Sequence, residues 1–308
     1  MSDTRPSGFA ESAVQVIERQ EWLAPLEEGL QRAVSAAFQA GGAAGHAVKN
    51  FLHGTWLGHP LHPVLTDVPI GAWTTALVFD ALDARGRRWS RRSALQRGAD
   101  GAVVVGIVGA VGAALAGLTD WQHTGGTARR TGFAHATLNT LALGLYVGSL
   151  AMRRRGARRA GRSLASAGFG VLLASAYLGG RLVYREHIGV DHAQRDEPNG
   201  FARAVREADL REGQPVRADV GGVRVVLVRR RGRIHALGET CSHLGGPLAE
   251  GQVQDGAIVC PWHGSRFALE DGRVLDGPAT MPQPCFETRV RDGFVEVRRR
   301  PETGLAAA

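Results

Sequence analysis

Cysteine and lysine are both rare in this chain of 308 residues. It has three cysteines, at positions 241, 260 and 285, and Lys49 is its only lysine. Three cysteines are too few for the disulfide framework of a small secreted domain, and their number indicates nothing about the cellular compartment. Because lysine is nearly absent, the formal net charge of +8 is due to arginine.

The first 58 residues also lack an apolar run long enough for a cleavable signal peptide, and we expect none. Within the segment 1–50, apolar residues instead recur at roughly helical spacing. They are Val14, Ile17, Leu23, Leu26, Leu30, Val34 and Phe38. This pattern predicts an amphipathic helix that lies on a membrane or on the rest of the chain, with a plain surface helix as the alternative.

Two short motifs each combine a cysteine with a histidine: C-S-H at 241–243 and, sixteen residues later, C-P-W-H at 260–263. Two thiolates and two imidazoles are thereby available as metal ligands. Zinc motifs more often group like with like, as C-x2-4-C with H-x3-5-H. Zinc, or a fold without metal, is therefore the less favoured interpretation.

With L-G-G-P after the first motif and G-S after the second, the pattern resembles a Rieske [2Fe-2S] site. In that family two cysteines hold one iron and two histidines the other. The resemblance implies one cluster, bound by Cys241, His243, Cys260 and His263. It also implies supporting roles for Gly245, Gly264 and Ser265, because glycines beside the ligands let backbone N–H groups approach the sulfurs.

The ligand set favours a cluster that accepts an electron easily. Neutral imidazoles in place of two thiolates make the oxidised cluster less negative, so Rieske potentials lie at about −150 to +300 mV, against about −400 mV for plant-type clusters. The respiratory branch of the family has a disulfide between its ligand loops, where this chain has Gly246 and Trp262. Phe267 stands where the high-potential branch has tyrosine. The chain therefore resembles the ferredoxin-like branch, and we expect a lower potential.

The last hundred residues fit a small antiparallel all-β domain at 205–300, followed by a tail at 301–308. Alternating apolar residues predict strands at 223–228, 234–237 and 286–290. Arg231-Gly232 is typical of a hairpin turn between the first two. Cys285 precedes the third, and we expect it to be a small buried apolar residue rather than a ligand.

The remaining two-thirds of the chain belong to a different class. The mean hydropathy of −0.11 averages polar ends with four apolar runs of 17 to 20 residues. These runs are 64–82, 101–118, 133–152 and 164–180. Because about 20 apolar residues span a bilayer as a helix, they predict a four-helix transmembrane domain at 51–190, joined by a linker at 191–204. Four buried helices of a soluble protein are the alternative.

Arginine is unevenly distributed between these runs. Six arginines lie between the first and second runs and six between the third and fourth, but only Arg129 and Arg130 between the second and third. The groups of six are Arg85, Arg87, Arg88, Arg91, Arg92 and Arg97, and Arg153, Arg154, Arg155, Arg158, Arg159 and Arg162. This alternation is what the positive-inside rule predicts for a multi-pass protein. The basic charge therefore indicates membrane topology rather than a nucleic-acid partner.

Glycines in the second run, at positions 106, 109 and 112, have the spacing G-x-x-G-x-x-G. A dinucleotide-binding loop would need G-x-G-x-x-G between a strand and a helix. Close packing of membrane helices through small residues is the better interpretation.

Antiparallel helices bring the start of run one, the end of two, the start of three and the end of four to one side of the membrane. The polar residues there are His59, His62, Asp67, Asp120, Trp121, His123, His135, Asn139, Tyr184, His187 and His192. The candidates for a functional site are His59, His62, Asp67, His135 and Asn139. They could hold haem or a metal, or hydrogen-bond a quinone; interfacial anchoring is the alternative.

The segment G-H-P-L-H-P at 58–63 resembles that of an uncharacterised bacterial membrane domain, DUF2231, over roughly residues 50–185. The two resemblances together indicate a multi-pass membrane protein whose Rieske domain lies on the histidine-bearing side. The arginines place that side outside the cytoplasm, and the opposite orientation is the alternative.

We therefore predict a membrane-anchored carrier of single electrons, with lipid and an electron donor or acceptor protein, or a quinone, as partners. Nothing after the Rieske domain could hold a mononuclear iron with two histidines and a carboxylate. Any oxygenase chemistry would need a second protein. A cluster-bearing subunit of a larger oxidoreductase or oxygenase, and a redox-gated sensor or transporter, are the alternatives.

Overall fold

The computed structural model describes residues 9–85, 89–198 and 200–300. Arg87, Arg88 and the predicted tail at 301–308 lie outside these ranges, as do the side chains of Arg85, Arg91 and Arg92. The helices are α1 (Phe9–Glu18), α2 (Ala24–Ala40), α3 (Gly42–His53), α4 (Leu61–Arg85), α5 (Trp89–Trp121), α6 (Gly126–Arg154) and α7 (Arg158–Tyr184).

The chain forms two compact units. Of the described residues, those up to His46 and those within 61–188 form a helical unit, and those within 47–60 and 189–300 form a β unit. The boundary inside α3 differs from the predicted start of a membrane domain at residue 51. Residues 47–60 pack against strand connections more than 200 positions later in the chain, and no local pattern signals such a contact.

Each predicted apolar run lies inside one of the four long helices α4–α7. Glycines on α5 provide a groove for side chains of α4. A Cβ on Gly106 would lie 2.1 Å from Trp73 Nε1, and one on Gly109 would lie 2.5 Å from Val68. The G-x-x-G-x-x-G spacing is thus a packing surface, and the interpretation from sequence is confirmed.

The pair α6 and α7 packs antiparallel in the same way. A Cβ on Gly168 would lie 3.0 Å from the Tyr146 ring, and one on Gly179 would lie 3.1 Å from the His135 ring. Tyr146 also stacks on Trp73 with ring centroids 3.8 Å apart and planes at 6°. Since both rings are almost fully buried, this stack joins α4 to α6 in the centre of the helical unit.

Charged side chains join all four long helices near the ends that bear the arginines. The side chain of Arg153 on α6 is fully buried and donates hydrogen bonds to Asp80 on α4 (3.0 Å) and Asp100 on α5 (3.1 Å). The remaining pairs, from α7, are Arg158 with Asp100 (2.9 Å) and Arg162 with Asp80 (3.3 Å) and Asp83. Three of the predicted topological arginines are therefore ion-paired. These ion pairs do not change the orientation that the arginines predict, because acidic residues contribute little to the positive-inside rule.

Within the helical unit, α1 and α2 pack at the opposite ends of α5–α7. Arg181 on α7 pairs with Glu11 (2.9 Å) and Glu18 (2.7 Å) of α1. Glu27 of α2 is fully buried and accepts from Arg129 Nε at 3.1 Å. The predicted helical segment is thus two helices held on this unit by ion pairs.

Two helical segments, Ala94–Trp121 and Arg158–Tyr184, are long and apolar enough to cross a membrane. Large apolar side chains are nevertheless exposed on all four long helices. Val78 on α4 is 50% exposed, Val108 on α5 68%, Leu141 on α6 52% and Leu173 on α7 58%. Exposed apolar patches of this extent indicate contact with lipid or another protein.

The β unit contains two antiparallel sheets, which confirms the predicted all-β domain. The larger has the strand order β1-β10-β9-β4-β3-β2 and the smaller β5-β6-β7-β8. The strands are β1 (Ala202–Arg206), β2 (Pro215–Val220), β3 (Val223–Arg230), β4 (Arg233–Gly238), β5 (Gln252–Gln254), β6 (Ala257–Val259), β7 (Arg266–Ala268), β8 (Val274–Asp276), β9 (Cys285–Arg291) and β10 (Phe294–Arg299). All three predicted strands are present.

The β3–β4 hairpin confirms the predicted turn. Arg231 and Gly232 both have positive φ, 50° and 73°, which is the geometry of the two-residue turns that match strand twist. Along β3, Val225 and Leu227 belong to one buried cluster, whereas Val226 and Val228 belong to another that includes Cys241 and Cys260. The larger sheet is therefore buried on both faces, and the second core holds both cysteines.

Gly106→Ala tests the groove on α5. We expect the variant to be destabilised by about 1–3 kcal/mol, the usual cost of overpacking, because its methyl group would overlap Trp73. Gly101→Ala is the matched control, since no atom lies within 4 Å of its Cβ position. Thermal unfolding in detergent should show a lower midpoint for Gly106→Ala only; equal midpoints for both variants would contradict the packing.

Candidate metal centre

Three connections at one end of the smaller sheet carry the candidate residues. Loop 1 (residues 239–247) follows β4, loop 2 (residues 260–265) joins β6 to β7, and loop 3 (residues 277–284) joins β8 to β9. Loop 1 contains Cys241 and His243, and loop 2 contains Cys260 and His263. The structure thus brings together the four residues that were predicted as ligands.

Loops 1 and 2 close by the same two backbone hydrogen bonds. In loop 1, Gly245 N–H donates to Cys241 O (2.9 Å) and Cys241 N–H to Gly246 O (2.8 Å). In loop 2, Gly264 N–H donates to Cys260 O (3.1 Å) and Cys260 N–H to the carbonyl of Ser265 (2.9 Å). Each loop therefore bonds its cysteine to the residues four and five positions later.

Gly245 and Gly264 occupy equivalent positions in these closures. Their φ angles are 79° and 77°, in the left-handed region that a residue with a Cβ seldom adopts. The sequence interpretation expected these glycines to let N–H groups approach the sulfurs. Their direct role here is to close the turn.

The N–H groups that point at the sulfurs come from other residues. Cys241 Sγ accepts from the backbone of His243 and Leu244, and Cys260 Sγ accepts from the backbone of Trp262 and His263. The donors are again at the same offsets, two and three positions after each cysteine. Hydrogen bonds of this kind favour a negatively charged sulfur.

Both cysteines are buried, with 1% and 3% of their surface exposed, and their sulfurs lie within hydrogen-bond reach. The hydrogen bond from the Cys241 thiol lowers the pKa of Cys260. The same bond, together with burial, raises the pKa of Cys241. The two sulfurs lie close together and accept hydrogen bonds from four backbone N–H groups, and together they form a preorganised site for a metal cation.

The two imidazoles complete the site on its more exposed side. The rings of His243 and His263 have centroids 5.0 Å apart and planes at 89°. Both residues are partly exposed, and burial lowers the pKa of His263, which favours its neutral, metal-binding form. Two sulfurs and two imidazoles fit the donor set that a mixed-ligand [2Fe-2S] cluster needs.

Gly246 and Trp262 are in contact across the two loops. A Cβ on Gly246 would lie 3.0 Å from the Trp262 indole and 2.9 Å from Cys260 Sγ. The indole is 55% exposed and stands nearly perpendicular to the His263 ring. An aromatic side chain therefore covers one edge of the site, and any residue larger than glycine at 246 would displace it or the sulfur.

Loop 3 is bonded to both other loops. Ser242 Oγ in loop 1 donates to Met281 O at 2.7 Å, and the Ala279 N–H donates to Ser265 Oγ in loop 2 at 2.9 Å. Ser265 is fully buried, and its own hydroxyl proton can still be donated to an acceptor. The sequence interpretation included Ser265 but not Ser242 or loop 3, although the Gly277-Pro278 dipeptide is a signal for a loop.

In the helical unit, the structure brings together three of the five histidine-side candidates. His135 Nδ1 lies 2.8 Å from Ser175 O, and its Nε2 lies 3.0 Å from Asn139 Nδ2. The His62 ring has its centroid 6.2 Å from that of His135, and His62 Nδ1 lies 2.8 Å from Ala113 O. These contacts explain how two imidazoles are accommodated between apolar helices.

The other two candidates do not join this group. His59 belongs to the β unit and is exposed, with Nδ1 3.2 Å from Pro60 O. Asp67 is an exposed residue of α4. Sequence spacing placed all five near one helix end, but only the tertiary structure distinguishes buried from exposed positions.

Cys285 lies apart from the two ligand cysteines. It is half-buried at the start of β9 and lines a cleft of about 420 Å³ together with His235, Leu269 and Arg300. Burial raises the pKa of its thiol, so it is not poised as a reactive thiolate. The expectation of a packed residue holds in part, since Cys285 contacts the second core but is not fully enclosed.

Comparison with protein families identifies both parts of the chain. The model for the Rieske [2Fe-2S] domain matches residues 201–287, and the model described as a predicted membrane protein (DUF2231) matches residues 58–192. The two matches leave the N-terminal helices and most of residues 47–60 unassigned.

Among curated proteins, the ferredoxin subunit of 3-phenylpropionate/cinnamic acid dioxygenase from Escherichia coli is 36% identical over 89 residues, which are 29% of this chain and 83% of that protein. Apoptosis-inducing factor 3 of Mus musculus is 36% identical over 90 residues, but the chain spans only 15% of its length. Among solved structures, the ferredoxin of carbazole 1,9a-dioxygenase from Nocardioides aromaticivorans is 26% identical, with a TM-score of 0.32, over 33% of this chain and 100% of that one.

Replacing the candidate ligands tests the site directly. We expect Cys241→Ser, Cys260→Ser, His243→Ala and His263→Ala each to abolish the visible absorbance and the two irons per chain of a [2Fe-2S] protein, because each iron has only two protein ligands. Cys285→Ser is the matched control and should retain both. Zinc in place of iron in the parent protein, or full iron in Cys260→Ser, would contradict the assignment.

Proposed function

The chain belongs to the Rieske [2Fe-2S] family, and from this we propose that it is a membrane-anchored carrier of single electrons. The observation that carries the proposal is the matched geometry of loops 1 and 2. Each presents one sulfur, one imidazole and two N–H donors at one end of the smaller sheet.

In this proposal Cys241 and Cys260 hold one iron and His243 and His263 the other. A bound [2Fe-2S] cluster would supply reversible one-electron chemistry at about −150 to +300 mV. The backbone N–H groups after each cysteine stabilise negative charge on the sulfurs, and Ser265 can donate one further hydrogen bond. The core that encloses the cysteines keeps water away from them.

The exposed side of the site is where an electron would enter and leave. His243 and His263 are partly exposed, and the Trp262 indole beside them offers an apolar contact to a redox partner. The Escherichia coli relative is named as a dioxygenase ferredoxin subunit. We infer that this chain likewise serves a separate donor or acceptor protein, and a role as cluster subunit of a larger oxidoreductase is the second candidate.

The four long helices are proposed to form a multi-pass membrane domain. The exposed valines and leucines on all four support lipid contact, and the match to a predicted membrane protein covers the whole segment. The polar residues that make α4 less apolar, Asp80 and Asp83, are buried and paired with arginine, which reduces the penalty for charge at membrane depth.

For the histidine side of this domain, the contacts favour a quinone over haem as a second redox partner. Both ring nitrogens of His135 face hydrogen-bonding partners, so a bond to haem iron would break one of them. His62 Nδ1 lies 2.8 Å from the carbonyl of Ala113, so in the tautomer that donates to this carbonyl Nε2 is a hydrogen-bond acceptor. A quinol hydroxyl has the complementary donor.

Potentiometric EPR on the purified protein tests the ferredoxin-like branch. We expect a Rieske signal with a potential below about 0 mV, within the range of the family, and no haem absorbance. Phe267→Tyr should raise the potential, because a new hydroxyl in the buried core beside the cysteines adds a hydrogen bond of about 1 kcal/mol, roughly 40 mV for one electron.

Phe294→Tyr, at a half-buried position of β10 outside the core that holds the cysteines, is the control and should leave the potential unchanged. A parent potential near about +300 mV, or no shift in Phe267→Tyr, would count against the assigned branch.

Labelling with an impermeant maleimide tests the topology, in a Cys285→Ser background. We propose that the Rieske domain lies outside the cytoplasm and that the α6–α7 connection lies inside. Glu197→Cys should therefore react in right-side-out vesicles, and Arg155→Cys only in inverted ones. The reverse pattern would overturn the orientation. Labelling of both from one side, or release of the protein by salt, would overturn the multi-pass domain.

A further inference from the structure

Residues 47–60, which we call the clasp, belong to the β unit although they lie before the first long helix. The clasp carboxamide of Asn50 makes two hydrogen bonds to the start of loop 3. Its Nδ2 donates to Asp276 Oδ1 at 3.0 Å, and its Oδ1 accepts from Gly277 N–H at 3.0 Å. One side chain thus fixes the residues on both sides of the β8–loop 3 junction.

The contact between the clasp and loop 3 is close as well as polar. A Cβ on Gly277 would lie 3.0 Å from His53 Cδ2 and 3.2 Å from Thr55 Cγ2. His53 is fully buried, and Thr55 Oγ1 donates to Asn50 O at 3.1 Å. The clasp therefore encloses the backbone of Gly277 on the side where any other residue would carry a side chain.

Loop 3 transmits this contact to the candidate cluster loops. Two residues beyond Gly277, the Ala279 N–H donates to the buried hydroxyl of Ser265, and Met281 O accepts from the hydroxyl of Ser242. These two serines lie next to or near the cysteines of loops 1 and 2. The three cysteines are free, so no covalent bond between the loops could replace loop 3.

We propose that Asn50 is a positioning residue for the iron–sulfur site, acting through loop 3 on Ser265 and Ser242. The proposal rests on the proposed function, because it takes loops 1 and 2 as the cluster loops. The clasp holds Gly277, Gly277 fixes the course of loop 3, and loop 3 fixes the two hydroxyl groups. The residues 47–57 lie outside both family matches, so this brace is supplied by neither matched domain.

Loss of the clasp contact has two physical consequences. Loop 3 becomes free to open, which exposes its amides to solvent and gives water access to the core around the cysteines. The Ser265 hydroxyl also loses the Ala279 N–H that orients it, so its remaining proton is donated less effectively. The weaker hydrogen bond from Ser265 disfavours the reduced, more negative state, so the potential should fall, and the access of water to the core should shorten the lifetime of the cluster.

The experiment compares Asn50→Ala with Val48→Ala in the full-length protein in detergent. Val48 lies on the same helix and is 51% exposed, so it controls for effects on α3 itself. We expect hydrogen exchange of peptides covering loop 3 to be about tenfold faster in Asn50→Ala, the equivalent of one to two hydrogen bonds. The potential should be lower and the cluster lost faster on dilution. Val48→Ala should match the parent in all three.

A reversed pair provides the rescue. Asn50→Asp alone places a carboxylate against Asp276 and should behave like Asn50→Ala. In the double variant with Asp276→Asn, the carboxylate at position 50 accepts hydrogen bonds from Gly277 N–H and from the side-chain amide at position 276. The oxygen of that amide can still accept a hydrogen bond from Arg266, which lies 3.2 Å from Asp276 in the parent. The double variant should recover the parent exchange rate and potential, a coupling that only interacting residues give.

The results of these measurements distinguish failure of the clasp proposal from failure of the proposed function. Unchanged hydrogen exchange of loop 3 in Asn50→Ala overturns the proposal. Faster exchange with an unchanged potential and an unchanged cluster lifetime also overturns it, because the clasp would then stabilise the fold without acting on the site. Absence of a cluster in the parent and Val48→Ala as well would refute the proposed function instead. Exchange of loop 3 would still report on the clasp in that case.

Discussion

Two buried sulfurs must be held within hydrogen-bond reach of each other, on two separate loops with no covalent bond between them, and the β unit is organised around this requirement. Each loop closes on its own cysteine by the same pair of backbone bonds, with glycine in the left-handed conformation. The closure then points two further N–H groups at each sulfur. Because the donors are backbone groups, the identity of the residues that carry them can vary.

The space between the loops shows the same constraint. At position 246 only glycine leaves room for both the Trp262 indole and Cys260 Sγ. The hydroxyl groups of Ser242 and Ser265 form hydrogen bonds between the ligand loops and loop 3. Several hydrogen bonds and van der Waals contacts therefore hold the ligand loops together without a disulfide between them. Such an arrangement depends on how well loop 3 is itself held, and residues 47–60 provide that support.

The helical unit meets a different physical problem, which is to bury polar groups among apolar helices. It does so by pairing polar side chains across the helices, as with Arg153 to Asp80 and Asp100, and within and between α6 and α7, as with His135 to Asn139 and Ser175. Glycines on α5 and α7 let the helices approach closely enough for these bonds to form. The apolar valines and leucines are left on the outside.

Much of this could be predicted from local patterns. The C-S-H and C-P-W-H motifs identified the residues that meet at the site, alternating residues located β3, β4 and β9, and a turn dipeptide located their hairpin. Each apolar run lies inside one of the helices α4–α7, although α5 begins well before its run. Each of these features depends on residues close together in the chain, where periodicity and side-chain chemistry are directly readable.

Local sequence patterns were therefore enough to predict three of the strands, the four long helices and the residues that meet at the candidate site. Long-range packing, by contrast, places residues 47–60 in the β unit, bonds Asn50 to Gly277 and pairs Asp80 with Arg153. These contacts join residues 73 to 227 positions apart. The partner of a single asparagine or aspartate cannot be predicted from neighbouring residues, because it depends on how the helices and sheets pack.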